Sequence, residues 1–541
     1  MKIQYYLLAA TLFSLPLEAQ ETYENARLVG NDLNGTARYV GMGGAMEALG
    51  ADISTISSNP AGIGLFRHTQ FSVSGGLLMQ SNAKEFANGK TTNTSFDQIG
   101  LVYSPSSSYG FKLNFGFNYS KSKNLNNILN ASGKLGNGSQ NNQSYLKNVL
   151  GSEEYGGFDV RKNGERYIGF KNPKSSEVTL AWSQLDYLYF NTLLPDAGTP
   201  GKFNSYLADS YSFDRAGSGY IGNYDFNISG SIRDRVYLGI TLGLKDVNYD
   251  SESMYTEKLS NGVGSVTVRD LRRVTGSGFD LTAGVIVRPV AESPFRIGAY
   301  VKTPTWYDLT TENQTRIDVS TNTGAVNDWG EVSNTYNYKL WTPWKFGFSL
   351  GHTVGNYLAL GLTYEYENYA NMNTQINDGV TYDFYYGTYY ESSLADRAMN
   401  AHTKQALKGV STLKFGAEYK PTRDLSLRLG YNYVSPMYNT NAQKDPTIVS
   451  IGTSYSTATD FVNWEATNRF TLGVGYQVKK FNFDLAYQYS SQKGTFYPFS
   501  TINFDIKDTA TGKTTSYSNE AVGTKVDNNR GQLLFTVGYR L

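Results

Sequence analysis

The stretch Tyr109-Gly110-Phe111-Lys112-Leu113-Asn114-Phe115-Gly116-Phe117-Asn118-Tyr119-Ser120 decides the fold, because its residues alternate strictly between two kinds. One row is aromatic or apolar, and the other is glycine or polar. Successive side chains of a β-strand point to opposite faces, so this pattern predicts a strand with one apolar face. The same period returns at 236–244, 358–366, 425–433 and 533–541.

Segments with this period follow one another from residue 69 to residue 541. Fourteen lie near 69–81, 96–104, 109–121, 219–232, 236–250, 274–288, 295–309, 334–351, 357–369, 409–420, 425–435, 462–478, 481–490 and 528–541. Their lengths suit tilted membrane-crossing strands of ~9–11 residues with extensions. Short connections such as 233–235 and 479–480 alternate with long ones, of which 122–218 is the longest.

Short turns at one end and long loops at the other are typical of outer-membrane barrels. We therefore predict an all-β fold, a 14-stranded antiparallel transmembrane β-barrel formed by residues 69–541. Soluble β-sandwiches and propellers also have period-two strands, but they do not account for the alternation of loop lengths.

The N-terminus predicts export from the cytoplasm. Lys2 precedes an apolar stretch at 7–17, and residues 17–19 resemble a cleavage site, so residues 1–19 are expected to be a signal peptide. The apolar stretch is too short for a membrane-spanning helix, and no later stretch approaches ~20 apolar residues. The chain contains no cysteine, which excludes disulfides and a lipid-modified cysteine. We expect the bacterial cell outer membrane as its location.

Motifs for catalysis are missing from the sequence. It has no Gly-x-Ser-x-Gly elbow, Walker A loop or His-Glu-x-x-His pair, so we predict a protein that is not an enzyme and has no metal or cofactor. A hydrolase at the barrel rim, using one histidine, stays open as an alternative. Haem would require an axial ligand, and His402 is the best-placed candidate; the other reading is a solvated loop histidine.

Residues 20–68 do not alternate and are rich in small side chains. They contain the run Gly41-Met42-Gly43-Gly44-Ala45 and the motif Asn59, Pro60, Ala61 and Gly62. This segment resembles the N-terminal hatch of the FadL/TodX-type outer-membrane transport proteins, whose motif includes Asn-Pro-Ala. The hairpin at 413–431 and the strand at 297–304 also look like that family. The 122–218 loop and the last residue, Leu541, depart from it.

The resemblance implies a barrel with a small hatch, residues 20–68, inside its lumen. It also implies passive uptake of hydrophobic small molecules, such as long-chain fatty acids or aromatic hydrocarbons, with capture by external loops, binding in the lumen and lateral release. In that family a kinked third strand opens the wall. Here Gly110 and Gly116 permit such a kink, although ordinary packing explains them as well.

Capture requires an apolar surface on the loops. Two stretches of the long loop have helical spacing, namely Leu125, Ile128 and Leu129, and Ala181, Leu185 and Leu188 with Trp182 beside them, and they form our candidates. An amphipathic helix must bury its apolar stripe on something. The stripe either forms a groove for a lipid-like ligand or packs on other loops.

Binding in the lumen requires inward-facing side chains. If Ile297 faces lipid, strict alternation turns Arg296, Tyr300, Lys302 and Trp306 inward, and Trp341 and Lys345 on the next strand. Tryptophan beside lysine or arginine suits an apolar tail with an acidic head group. The alternative is a polar lumen in which these cations pair with Glu418 or Glu465.

Two other functions remain open from the sequence: a shuttle of the PorV type that handles protein cargo, and a diffusion porin. The expected partners are outer-membrane lipid, a hydrophobic small-molecule ligand and, during biogenesis, the barrel-assembly machinery. The net charge of +1 gives no reason to expect nucleic acid as a partner. We expect a monomer.

Overall fold

The computed structural model describes most of the chain. It covers residues 22–105, 110–155, 158–160, 168–171, 178–179, 183–192, 204–322, 324–329, 334–383, 385–446, 448, 450, 457–507 and 511–541.

In this part of the chain, strands dominate. They are β1 Gln70–Ser81, β2 Thr92–Tyr103, β3 Phe111–Asn124, β4 Asn127–Lys134, β5 Phe158–Val160, β6 Ile168–Lys171, β7 Val178–Thr179, β8 Ala208–Ile232, β9 Val236–Leu259, β10 Gly264–Val287, β11 Arg296–Lys302, β12 Trp306–Thr321, β13 Gly324–Trp329, β14 Asn334–Trp341, β15 Lys345–Val354, β16 Leu358–Asn368, β17 Asn373–Asp383, β18 Thr388–Ala395, β19 Gly409–Tyr419, β20 Leu425–Val434, β21 Phe461–Val478, β22 Phe481–Tyr497, β23 Ile502–Lys507, β24 Thr514–Asn519 and β25 Thr524–Arg540. The α-helices are α1 Thr22–Leu28, α2 Ala37–Gly41, α3 Gln140–Tyr155, α4 Gln184–Thr192 and α5 Arg397–Ala406. Short 3-10 helices cover Ile53–Ser57, Pro60–Leu65, Ser260–Gly262 and Tyr369–Asn371.

Antiparallel pairing closes the sheet into a barrel. The wall runs in the order β1, β2, β3, β8, β9, β10, β11 with β12, β14 with β15, β16, β19, β20, β21, β22 and β25. β25 then pairs with β1, from Gln70 opposite Arg540 to Ser81 opposite Asn529. Two wall positions consist of two strand pieces each, so fourteen positions result. The predicted 14-stranded antiparallel barrel is confirmed.

An apolar band surrounds the outside of the wall. Exposed members are Phe71, Leu101, Phe115, Phe117, Ile228, Ile240, Leu281, Phe346, Phe415, Leu429, Leu472, Leu485 and Phe535. A continuous apolar surface of this kind is stable in lipid rather than in water. In the described residues, no helix is long and apolar enough to cross a membrane. We call the end with short turns periplasmic and the end with long loops external.

Several strands continue beyond the band on the external side. In β9, exposed leucines end at Leu244, and the outward positions that follow include Asn248, Asp250 and Lys258. Similar extensions of β8, β10 and β12 pack with β4 and α4 around one apolar cluster, which contains Leu185 and Leu188. The barrel therefore carries a folded external cap.

The N-terminal residues 22–66, which we call the lumenal segment, are enclosed by the wall, whereas Arg67 and His68 are exposed at the periplasmic end. The polar groups of the lumenal segment bond inward-facing side chains on opposite strands. Ala37 N donates to Thr536 Oγ1 of β25 at 2.7 Å, and Thr241 Oγ1 of β9 donates to Ile56 O at 2.8 Å. Its turns have local causes as well, since the Asp52 side chain accepts from Ser54 N and so caps the next 3-10 helix.

Glycines in the wall allow this segment to approach closely. Gly351, Gly361, Gly416 and Gly430 lie opposite one another on four neighbouring strands, and we call them the glycine track. A Cβ at Gly361 would overlap the carbonyl oxygen of Ala45. The track thus brings backbone against backbone at the level of residues 42–48.

Candidate ligand cavity in the lumen

A cavity of about 350 Å³ lies above the lumenal segment's lower part, within the barrel. This volume is within the range of small-molecule pockets, about 300–1,000 Å³. Its lining comes from the lumenal segment, from the loop after β20, and from β3, β4, β8, β9, β11, β15, β16, β19 to β22 and β25. The cavity has three chemically different sides.

The first side is apolar and aromatic. It is formed by Val434, Met437, Tyr438, Phe461 and Trp464. Tyr23 of α1 stacks on Tyr438 with ring centroids 5.1 Å apart and packs against Phe461 at 5.0 Å. Contacts between the lumenal segment and the loop after β20 therefore hold this side in place.

The second side is cationic, and we call it the basic side. It comprises Lys123, Arg469 and Arg530, with Asp32 as the carboxylate between them. Both arginines are mostly buried. Their ion pairs with the Asp32 carboxylate are long, because the nearest nitrogen of Arg469 lies 3.9 Å from it and that of Arg530 lies 4.0 Å from it. Lys123 Nζ donates to Val29 O at 2.6 Å.

Charges on the basic side are not balanced. Burial opposes the charged form of Asp32, but Arg530 and Arg469 together outweigh it and hold the pKa of this carboxyl below its ordinary value. One charged carboxylate thus faces three cations. The other nearby carboxylate, Glu465, pairs with Lys525 at 3.4 Å and is half exposed.

The third side, the floor, is charged but paired. Lys345 Nζ lies 2.6 Å from Glu367 and 3.6 Å from Glu365. Lys414 Nζ bonds Glu365 at 2.7 Å and Glu47 of the lumenal segment at 2.8 Å. The floor offers no excess charge to a ligand.

Helix α1 forms the roof of the cavity and is anchored to β10 and to the loop after β20. Glu24 lies 2.6 Å from Arg272 and 3.6 Å from Lys444. Burial opposes the charged form of Glu24, but Arg27, Arg272 and Lys444 hold its pKa well below the usual range. The roof is therefore pinned by charge pairs as well as by the ring of Tyr23.

The wall beside the cavity has one incomplete seam. Pairing of β2 with β3 ends at Gln98 opposite Ser120, although both strands continue outward. Above that level, Lys121 Nζ donates to Ser95 Oγ at 2.8 Å, and Asn34 of the lumenal segment donates to Asp97 Oδ1 at 2.9 Å. Side chains, rather than ladder bonds, hold this half of the seam.

Some of the predicted lumenal residues do face inward. Lys302 and Lys345 line the cavity, and Tyr300 donates to Glu365, which also lines it. Arg296 lies lower and donates to Leu49 O at 2.6 Å. The two lysines pair with Asp280, Glu365 and Glu367 rather than with Glu418 or Glu465.

The inward placement of Trp306 and Trp341 is wrong. The two residues lie opposite each other outside the lumen, and Trp306 packs on the exposed ring of Phe279 at 5.0 Å. The strand breaks at Pro304 and Pro343 are the cause, because each moves the alternation by one residue. Lys302 faces inward before the first break, and Tyr307 and Leu309 do so after it.

The predicted capture residues are buried. Leu125 precedes β4, and Ile128 and Leu129 lie in β4 rather than in a helix. Leu185 and Leu188 belong to α4 and pack in the same cluster as Leu129, so the loop-packing alternative is the correct one for them. Trp182 lies outside the described residues. The structure adds one link to the cavity, since Leu125 and Leu129 line it.

Gly110 lies in the turn before β3 with φ +79°, so it does not kink that strand. Gly116 lies within β3, where a Cβ would be 3.1 Å from Ile56 Cδ1, so it gives room to the lumenal segment. The irregularity of β3 lies further outward, where its register with β8 shifts between Lys121 and Lys123, and β4 then continues the pairing with β8.

Residues Asn59, Pro60, Ala61 and Gly62 are buried at the wall. The Asn59 amide donates to Val285 O at 3.3 Å, and Pro60 O accepts from Ser229 Oγ at 2.7 Å. Added Cβ atoms at Gly239 and Gly284 would collide with this motif.

His402 is not a solvated loop histidine. It lies in α5 and is buried, with Nδ1 2.9 Å from Thr22 Oγ1 and Nε2 2.9 Å from Gln443 O. Both ring nitrogens are used, so the residue does not fit an axial ligand.

Sequence reasoning missed the basic side. Arg469 lies in the inward row of a correctly predicted strand, and that row was the available signal. Lys123, Arg530 and Asp32 meet it only because β3, β25 and the lumenal segment converge.

The fold and the cavity together define a fourteen-stranded transmembrane β-barrel of the outer-membrane type, with a ligand-sized space in its lumen. No protein-family description and no curated protein matches the sequence. Solved structures similar to this chain include the toluene transporter TbuX of Ralstonia pickettii, with 12% identity, 95% of this chain and 100% of that chain covered, and a TM-score of 0.45.

Two further solved structures are similar to this chain over nearly its whole length. The CymD monoaromatic hydrocarbon channel has 9% identity over 95% of this chain and 99% of its own, with a TM-score of 0.44. A Pseudomonas aeruginosa FadL homologue has 12% identity over 97% and 99%, with a TM-score of 0.44.

Proposed function

We propose that this protein is a passive outer-membrane conduit for hydrophobic small molecules that carry an acidic head group. The observation that carries the proposal is the cavity, where an aromatic side faces the unbalanced basic side. A long-chain fatty acid has an apolar chain that matches the aromatic side and a carboxylate that matches the basic side.

The unbalanced charge argues for an anionic ligand. Buried charges are costly unless they are paired, and two arginines with a lysine share one carboxylate here. Arg530 Nε is buried without a hydrogen-bond partner in the described structure. A ligand carboxylate would complete the pairing and accept charge-assisted hydrogen bonds.

The lumenal segment acts as the hatch of this conduit. Its lower part packs on the glycine track, and its polar groups bond to the wall, so it blocks a straight path to the periplasmic end. The seam between β2 and β3 is the lateral exit, because the cavity reaches Ser120, Lys121 and Ser122 there. Opening it requires the loss of side-chain bonds only.

A binding experiment tests the head-group assignment. Palmitate and methyl palmitate are titrated into the purified barrel and into a variant with Arg469→Gln and Arg530→Gln. Hydrogen bonds to charged groups contribute about 1.5–3 kcal/mol, so palmitate affinity should fall about tenfold or more. Methyl palmitate affinity should stay unchanged.

The matched control is Arg273→Gln, which removes an exposed cation paired with Asp250. It should leave both ligands unaffected. Equal binding of acid and ester by the native barrel, or loss of both in the double variant, would contradict the assignment. The shift in migration on SDS gels between heated and unheated samples shows whether each variant is folded.

A further inference from the structure

The periplasmic turn between β21 and β22 and the end of β25 bring three cations together. Lys479 and Lys480 form the turn, and Arg540 lies beside them, because Arg540 N donates to Lys480 O at 2.9 Å. All three are exposed. We call them the rim cluster.

No side-chain carboxylate of the described residues pairs with the rim cluster. None of its members forms an ion pair with another described residue. The same sign dominates the other periplasmic turns. Their side chains, with the rim cluster, include the cations Arg67, Arg233, Arg235, Arg288, Lys420, Arg423, Lys479, Lys480 and Arg540, and the carboxylates Asp234, Glu292 and Asp424. Asp234 is already bound to Arg67 at 2.8 Å.

The rim cluster borders the lipid-facing surface. Phe481 follows Lys480 directly and points outward, and its ring lies 4.8 Å from that of Tyr539. Val478 on the other side of the turn is exposed as well. Aromatic rings of this kind sit at the level of lipid head groups, and long cationic side chains reach outward from there to phosphate.

From this placement we infer that the rim cluster binds the head group of an anionic phospholipid in the periplasmic leaflet. The phosphate is held by the two lysines and the arginine, while Phe481 and Tyr539 contact the acyl chains. A soluble acidic partner would not need the bordering aromatic rings. Basic residues beside a membrane attract anionic lipid in a salt-dependent manner.

Spin-labelled lipids measure this selectivity directly. The barrel is reconstituted in phosphatidylcholine vesicles with trace spin-labelled phosphatidylglycerol or phosphatidylcholine, and the motionally restricted fraction is compared. Phosphatidylglycerol should be preferred severalfold, and high salt should remove the preference. Inorganic phosphate at low concentration should not compete, which separates a lipid site from a free-anion site.

The test variant is Lys479→Asn, Lys480→Gln and Arg540→Gln. Asparagine suits position 479, where φ is +52°. A second variant keeps Arg540, because this residue lies in the closing strand. The control carries Lys404→Gln, Lys507→Gln and Lys513→Gln, which removes three exposed external cations.

The selectivity should be lost in the triple rim variant, be reduced in the double one and persist in the control. Equal restriction of both lipids by the native barrel would overturn the inference. So would selectivity that survives both rim variants, selectivity lost equally in the control, or displacement of the lipid by inorganic phosphate.

Discussion

The lower and upper parts of the lumen differ in how tightly they are packed and in whether their buried charges are paired. In the lower part, the lumenal segment touches the glycine track with its backbone, and buried charges such as Glu47 and Lys414 are paired. In the upper part, aromatic side chains surround a cavity where cations outnumber carboxylates. Close packing in the lower part closes the lumen, and the unpaired charge in the upper part favours ligand binding. The lumenal segment contributes to both.

The largest effect should follow from filling the glycine track. Gly361→Ala with Gly416→Ala places two methyl groups against the carbonyl oxygens of Ala45 and Met42. Backbone cannot give way as a side chain can, so the lower segment should leave the wall. Single-channel recordings in planar bilayers should then show a stable ion conductance for the double variant and none for the native barrel.

Gly136→Ala is the control for this prediction. Nothing lies within 4 Å of a Cβ at that position. The Gly136→Ala variant should show the same single-channel conductance as the native protein. A silent double variant with a normal fold would show that the track does not hold the segment.

A smaller effect is expected from breaking a buried charge pair in the lower part. Lys414→Met leaves Glu47 fully buried and without its cation. Removing one partner of a buried pair costs about 3–5 kcal/mol. Urea unfolding in detergent should show this loss, whereas Lys525→Gln, which breaks an exposed pair, should not move the midpoint. Equal midpoints for all three proteins would refute the contrast.

The external cap above the cavity should respond to pH. Burial raises the pKa of Glu257 to about 7, and its Oε1 accepts from Tyr255 at 2.7 Å and from Gln140 N at 2.6 Å. The folded state binds this proton more tightly than the unfolded state does. Its stabilising contribution is therefore complete below the ordinary value near 4.5 and is lost as pH rises through 7.

Hydrogen exchange in α4 should consequently be faster at pH 8.5 than at pH 5.5, after correction for the intrinsic rate. Glu257→Gln should remove this difference. If the Glu257→Gln variant still exchanges faster at pH 8.5 than at pH 5.5, another group causes the pH response.

The smallest effect concerns the two outward tryptophans. Trp306→Ala with Trp341→Ala should leave palmitate binding unchanged, because both rings lie outside the lumen. Trp464→Ala should weaken binding, since that ring lines the cavity. The reverse result would place the ligand elsewhere.

The strands were predictable because one face of each contacts lipid, which enforces the period of two. The inward or outward direction of the Trp306 side chain was not predictable, because one extra residue at Pro304 reverses the side chains of β12 and β14, until the break at Pro343 restores the predicted alternation. For β4, spacing alone could not separate a helix from a strand, since pairing with β8 decides it. The basic side depends on residues that are far apart in sequence and meet only when the barrel closes.

The hydrogen bond from Ala37 N to Thr536 Oγ1 connects two events in the biogenesis of the barrel. Thr536 also bonds Ser74 of β1 at 2.7 Å, so this group joins the first strand, the last strand and the lumenal segment. The same hydroxyl group thus takes part in closing the sheet and in holding the lumenal segment. We therefore expect the joining of β1 to β25 and the seating of the lumenal segment to depend on each other during biogenesis.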